Sequence, residues 1–474
     1  MRRGAWATRF GIYFAAIGSA FGLGSLWRFP YIVSANGGGA FVILYFFLML
    51  ILGVPLLIGE LFIGKFTRRS LLAAQKQLVA QSQSDSMIES KTDSVGESQS
   101  NMRPFMRLMP VIAVLGLFCC VVILGYYSVV CGWVLFFLAK FLEAPFGKFP
   151  HHFMANNMAE IKASGSLQMT LAVAHIVLAG VIVAKGVEEG IERWVGLIMP
   201  VFVGILSVLV LKSLSMNSSI AALRYFMYPD FSKLTITSLG YAVGQLCFTL
   251  SIGFGPMITF GSYLRDDALV PETGFRVAVF DALTAVIAGL LIFPLVFSGA
   301  SHAQGPELLF VTVPQFLMHI KGGGIFGIFF FLCLYLAALG ATIAILETVV
   351  ANVCENSRLT RGKASFFAVM VGVLAAVAPA FSSSVLSVIR IAGHSLFSLI
   401  DLTVVNGCVP VVALLLCWVV NHEVNEKAKR DEFFAMGSVS SQILYTHWRF
   451  LMKWVVPPLI MLALVLQAVA FFHR

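Results

Sequence analysis

Charge is what this chain has least of. Only 12% of its 474 residues are Asp, Glu, Lys or Arg, against roughly 25% in a soluble domain, and 59% are hydrophobic. With a mean hydropathy of +0.91, that scarcity excludes a soluble globular protein and points to an integral membrane protein. Metal-ligand spacing is missing as well. The eight cysteines (Cys119, Cys120, Cys131, Cys247, Cys333, Cys354, Cys408 and Cys417) lie within or at the end of apolar runs and read as small buried hydrophobes. No nucleophile–base pair stands out, so an enzyme is not expected. The first apolar run, from about Phe10 to Val33, is not expected to be a cleavable leader, because it is too long, is interrupted by Arg28 and has no small-residue cleavage site before the next polar turn. Basic residues exceed acidic ones, 32 to 23, for a formal charge of +9. They sit mainly in loops on one side, which is positive-inside bias and not a nucleic-acid surface.

Apolar runs long enough to span are centred near residues 20, 50, 123, 176, 203, 252, 286, 336, 372, 406 and 460. They predict eleven transmembrane helices in a single transporter-like unit covering 1–474. With the N-terminus cytoplasmic, about 22 of the 32 basic residues fall inside, from Arg2 through the Lys65–Arg107 cluster to Lys453. One segment, about 70–101, is rich in Ser, Gln and Glu. Its beginning suits a short amphipathic helix, and the rest reads as a disordered cytoplasmic loop. The stretch from Gly299 to Gly324, with Pro306, Pro314 and three consecutive glycines, reads as structured but not spanning.

Two spans break the rules for lipid-facing helices. The first carries Gly18-Ser19-Ala20-Phe21-Gly22-Leu23-Gly24-Ser25-Leu26-Trp27-Arg28-Phe29-Pro30. Glycines weaken a helix, and an arginine at this depth is costly unless something solvates it. The sixth repeats the oddity from Tyr241 to Pro256, where Pro256 removes a backbone donor and disfavours helix at Gly255. Backbone that leaves helical geometry within a bilayer is tolerated only where it is buried in protein or lines a cavity. Interrupted first and sixth helices divide ten spans into five plus five, the mark of a transporter site built on an inverted repeat. The halves would run over about 8–212 and 238–420, with an eleventh helix at about 448–471.

These residues resemble the neurotransmitter:sodium symporter family, in its bacterial amino-acid branch. The resemblance rests on Trp6-Ala7-Thr8-Arg9, Gly22-Leu23-Gly24-Ser25-Leu26-Trp27-Arg28-Phe29-Pro30, Asn36-Gly37-Gly38-Gly39-Ala40-Phe41 and Gly53-Val54-Pro55 with Glu60. It continues through Gly125-Tyr126-Tyr127, Lys185-Gly186-Val187-Glu188-Glu189-Gly190-Ile191-Glu192 and Gly244-Gln245 to Gly255. It implies that a substrate carboxylate meets the N–H groups of Leu23 and Gly24 and the Tyr127 hydroxyl. It places the amino group at the carbonyls of Ala20, Phe248 and Thr249 and at the Ser251 hydroxyl, with Ile123, Phe248, Phe254 and Ile345 as apolar walls. Arg28 and Asp401 become the outer gate; Arg3, Trp6, Tyr263 and Glu355 the inner one. Glu60 resembles the acid that receives N–H groups freed where the sixth helix unwinds. His175, alone on an apolar helix, reads as a packed, satisfied histidine.

The ion sites depart from the family pattern. At the first sodium site Ala20 and Thr249 are retained, but Ser25 and Asp281 stand where asparagines are usual. Ala285 replaces the residue that binds chloride or supplies a carboxylate in its stead. Asp281 supplies that negative charge itself, so no chloride is expected. At the second site Gly18, Phe21 and Ala337 still offer carbonyls, while Gly340 and Ala341 occupy the two hydroxyl positions. The expectation is a symporter in a bacterial inner membrane that imports a hydrophobic amino acid by alternating access, coupled to Na+ through one sodium site, with the second in doubt. Thr342, one position on, supplies a hydroxyl only if the eighth helix is rotated. A proton-coupled transporter and a non-transporting amino-acid sensor are the alternatives.

Overall fold

The computed structural model describes residues 22–92, 108–143, 157–298, 305, 308–320, 322–435 and 440–472. Gly18, Ala20, Phe21, Arg3 and Trp6 lie outside them. Apolar sequence makes helix here for a plain reason: in hydrocarbon every backbone N–H and C=O must be satisfied within its own segment. Nine helices among the described residues are long and apolar enough to cross a membrane. Keeping the ordinals of the sequence, they are the second (Gly39–Thr67), third (Met109–Glu143), fourth (Gly165–Ala184), fifth (Val187–Leu214), seventh (Val270–Ser298), eighth (Gly323–Asn356), ninth (Arg361–Phe381), tenth (Leu396–His422) and eleventh (Ser441–Ala470).

The remaining two ordinals are shorter among the described residues, and the sixth is interrupted. The first continues from a widened turn, Gly24–Arg28, into Phe29–Ala35. The sixth comprises Ile236–Thr249 and Pro256–Ser262. The third, fourth, eighth and ninth spans pack against one another as one block, and Pro256–Ser262 packs against the Val54–Thr67 half of the second. Phe47, Leu50, Phe118, Leu211 and Leu374 point outward and are exposed, as side chains bathed in lipid should be.

The stretch after Ser70 differs from expectation. It is helical from Leu71 to Thr92, longer than a short amphipathic start. Leu, Ala, Gln and Lys are strong helix formers, and no Gly or Pro interrupts before Gly96. Glu355 anchors its beginning, accepting from the N–H and Oγ of Ser70 at 2.9 and 2.8 Å. The Gly299–Gly324 connection contains the helix Leu308–His319, too short to cross. His175 is fully buried, its Nε2 2.8 Å from Thr342 Oγ1 and its Nδ1 3.4 Å from Tyr335 Oη. The cysteines are all free thiols, six of them buried.

Candidate functional site

The break in the sixth helix sets the site. Ser251, Gly253 and Gly255 take positive φ (54°, 91° and 103°), after which Pro256 restarts the helix with its fixed φ. Glu60 reaches across from the second span and accepts the freed Gly253 N–H at 2.7 Å. An unwound strand in a membrane core needs such a partner, because an orphaned N–H is costly there.

Opposite this break lies Gly22–Gly24. The Leu23 N–H donates to the Tyr127 hydroxyl oxygen at 2.8 Å, bringing the first and third spans together. A Cβ at Gly24 would come within 3.1 Å of the Phe248 ring and of Thr249, so any side chain there would push on the sixth helix at its break. Gly22, Gly24, Tyr127, Phe248, Thr249, Ser251, Phe254, Ala341 and Ile345 enclose a small cavity of about 10 Å³. Of the expected walls, Phe248, Phe254 and Ile345 line it. Ile123 is buried nearby on the third span but does not. Ala341 does, so the eighth span turns a methyl toward this space where a hydroxyl is usual.

Arg28 is fully buried above the cavity and fully bonded. Its Nε donates to Asp401 at 3.1 Å, Nη1 to Gln245 Oε1 at 2.5 Å and Nη2 to Asn406 Oδ1 at 2.9 Å. Its guanidinium also lies 5.3 Å from the centre of the Phe248 ring, within cation–π range. Gln245 passes the connection on, donating from Nε2 to the Gly24 carbonyl at 2.9 Å. Tyr126 donates to Asp401 at 3.3 Å. An arginine at this depth is tolerable because each face of its fork meets an oxygen.

Beside Gly24 a second polar cluster forms. The Asp281 carboxylate accepts from Ser25 Oγ and from Tyr45 Oη, both at 3.0 Å, and Tyr45 Oη lies 3.0 Å from Thr249 Oγ1. Ser25, Thr249 and Asp281 were expected together; Tyr45 was not. All of these groups are buried, and they converge oxygens around one negative charge. That is the donor chemistry a hard monovalent cation takes.

The second ion position lacks such a set. Gly340 and Ala341 carry no hydroxyl, and the Thr342 hydroxyl is committed to His175 at 2.8 Å and to the Ala338 carbonyl at 3.0 Å. Of its expected carbonyl donors, Ala337 alone belongs to the described residues. Among the described residues, the eighth span therefore offers this position no uncommitted hydroxyl at 340–342.

At the other end, Tyr263 and Glu355 are the two expected inner-gate residues that belong to the described residues. Tyr263 donates to Glu347 Oε1 at 2.6 Å, and fully buried Glu347 pairs with Arg361 at the start of the ninth span. Glu355 accepts from the Ser70 hydroxyl at 2.8 Å. Glu347 and Arg361 escaped the sequence reading, although a carboxylate in the apolar run Ile343–Val353 is a usable signal.

Known proteins resemble this chain in sequence and in fold. The model of the sodium:neurotransmitter symporter family matches residues 3–81 and 144–474. An uncharacterized sodium-dependent transporter of Bacillus subtilis, YhdH, is 29% identical over 95% of each chain. The sodium-dependent neutral amino acid transporter B(0)AT2 of Mus musculus is 26% identical over 61% of this chain and 40% of its own. Among solved structures, MhsT in complex with L-phenylalanine superposes with a TM-score of 0.85 at 28% identity, covering 98% of this chain and 100% of that one.

Proposed function

The chain belongs to the sodium:neurotransmitter symporter family, a family of multi-pass membrane transporters and not of enzymes, and from that premise we propose that it carries a hydrophobic amino acid inward, coupled to a single sodium ion and independent of chloride. The proposal includes eleven spans arranged as a five-plus-five inverted repeat with the N-terminus cytoplasmic. One observation carries it: the Leu23 N–H and the Tyr127 hydroxyl stand 2.8 Å apart beside a small cavity that Tyr127, Thr249 and Ser251 line together with Phe248, Phe254 and Ile345. An entering carboxylate takes the place of that mutual bond, accepting from Leu23, Gly24 and Tyr127 together. Free N–H groups at a broken helix favour an anion. The ammonium group is left to carbonyls of the unwound sixth helix and the Ser251 hydroxyl, and Phe248, Phe254 and Ile345 take the apolar side chain. The L-phenylalanine bound in MhsT supports an amino acid of this class.

A cavity of about 10 Å³ holds little more than one water, so the amino acid enters only when the enclosure widens. Arg28 and Asp401 part on the outer side to admit it. Because Gln245 joins Arg28 to the Gly24 carbonyl, substrate contact at Gly24 and closure of the ion pair are linked by one side chain. On the inner side the Tyr263–Glu347–Arg361 contact opens in turn. Sodium is carried with the substrate, its charge offset by Asp281, with Ser25, Thr249 and Tyr45 contributing oxygens. Among the described residues Asp281 meets hydroxyl partners and no basic side chain, which also suits a carboxylate that carries a proton; proton coupling is the second reading.

Binding of labelled phenylalanine and leucine to the purified protein, in sodium chloride and in choline chloride, tests the substrate assignment. Sodium-dependent binding that Tyr127→Phe weakens supports it. Binding indifferent to Tyr127→Phe sinks the carboxylate cradle.

A further inference from the structure

A cavity of about 480 Å³ lies away from the transport path, between the Asn36–Gly39 turn and the connection from the fifth span to the sixth. Arg224, Lys233 and Asp230 line it, with the rings of Tyr225, Tyr228 and Phe231. Its walls are well anchored. The helix Ser219–Met227 sets Phe226 and Tyr225 against Phe293 of the seventh span. Tyr225 donates to the Ser34 carbonyl at 3.2 Å, Ser238 donates to Asn36 at 2.8 Å, and Gly38 bridges to Pro229. The cavity therefore sits where the segments leading out of both broken helices are pinned together.

Its charge is specific. The Asp230 carboxylate is occupied by the N–H and Oγ of Ser232 and by Lys233 Nζ at 3.5 Å. Arg224 has no carboxylate partner among the described residues. Two cations and one carboxylate leave a single positive charge. Around the rim Ile220, Met227, Phe231 and Ile236 are 79%, 63%, 60% and 69% exposed, and the end of the fifth span leading into it exposes Val208 and Leu211. So many bare apolar side chains beside a basic cavity suit the boundary between headgroups and acyl chains, not open water.

We propose that this cavity is a binding site for an anionic phospholipid. Arg224 and Lys233 hold the phosphodiester, whose one negative charge matches the charge of the cavity. Tyr225 and Tyr228 flank the glycerol region, and the acyl chains lie along Ile220, Met227 and Ile236. The orientation proposed above puts the lipid in the outer leaflet; the binding itself does not depend on what the protein transports.

The test uses the full-length protein, delipidated in detergent and titrated with phosphatidylglycerol or phosphatidylcholine, with bound lipid counted by mass spectrometry of the intact protein. At about 1 kcal/mol per basic residue, Arg224→Ala/Lys233→Ala should lose phosphatidylglycerol affinity by at least about tenfold. Lys212→Ala, an exposed cation on the same side but outside the cavity, should retain it. Arg224→Gln should show part of the loss, and it stands in if the double variant fails to fold. Sodium phosphate at millimolar concentration should not displace the lipid. Equal lipid retention by the cavity variants, an equal loss in Lys212→Ala, or displacement by inorganic phosphate would overturn the assignment, the last by making this a site for a soluble anion.

Discussion

Replacing Asp281 by asparagine keeps the shape of the side chain and removes its charge, which isolates the electrostatic part of ion coupling. The fold should accept the change. Ser25 and Tyr45 donate to different carboxylate oxygens, each at 3.0 Å, so the remaining carbonyl oxygen still accepts from one hydroxyl and the other rotates to accept from the new amide. The cation loses more. Two unit charges about 4 Å apart at an effective dielectric constant near 20 attract by about 4 kcal/mol. Roughly half of that is offset because the wild-type carboxylate is itself buried without the ion, leaving on the order of 2 kcal/mol, or about a 30-fold weaker sodium site. Sodium titration of amino-acid binding reads this directly. Ala285 supplies no replacement carboxylate, so chloride should become stimulatory in Asp281→Asn while the parent protein ignores it. A sodium half-saturation within about twofold of wild type, with no response to chloride, would refute the assignment of Asp281.

Further predictions bear on the substrate and the gate. Tyr127→Phe removes a hydrogen bond to a charged group, so substrate affinity should fall by about 2 kcal/mol, roughly 30-fold, in equilibrium binding. Gly24→Ala places a methyl 3.1 Å from Phe248 and Thr249 and should abolish binding while leaving the unfolding temperature within a few degrees. Arg28→Lys keeps the charge but not the fork that reaches Asp401, Gln245 and Asn406. It should speed substrate release, measured by washout of bound label. Gly340→Thr/Ala341→Ser restores two hydroxyls on the eighth span; the sodium Hill coefficient should rise from about 1 toward 2 in uptake assays.

Residues that break a helix were the legible ones. Glycine and proline at Gly22, Gly24, Gly255 and Pro256 have no use in a lipid-facing helix; the sixth helix breaks at Gly255–Pro256, and a widened turn begins at Gly24. Arg28 and Asp401 announced themselves as opposite charges in apolar surroundings, and they form an ion pair. Tyr45 was hidden because a tyrosine in an apolar run looks like packing; only the approach of the second span to Asp281 gives its hydroxyl a purpose. Asn406 is similar, an amide whose importance arises from where Arg28 reaches. Thr342 reads as a spare hydroxyl for the second ion until its bond to His175, from a helix 167 residues earlier, becomes visible. Side chains acting through long-range partners leave no local periodic signal. The Tyr263–Glu347 contact shows the same limit, joining side chains 84 positions apart.

The central claim, sodium-coupled transport of a hydrophobic amino acid, meets its most direct test in proteoliposomes with sodium and pH gradients imposed independently. Labelled phenylalanine should accumulate above equilibrium when sodium is high outside, with or without a pH gradient, and should not accumulate on a pH gradient alone. Accumulation that follows the proton gradient and ignores sodium would contradict the coupling, and binding without accumulation under either gradient would contradict transport itself.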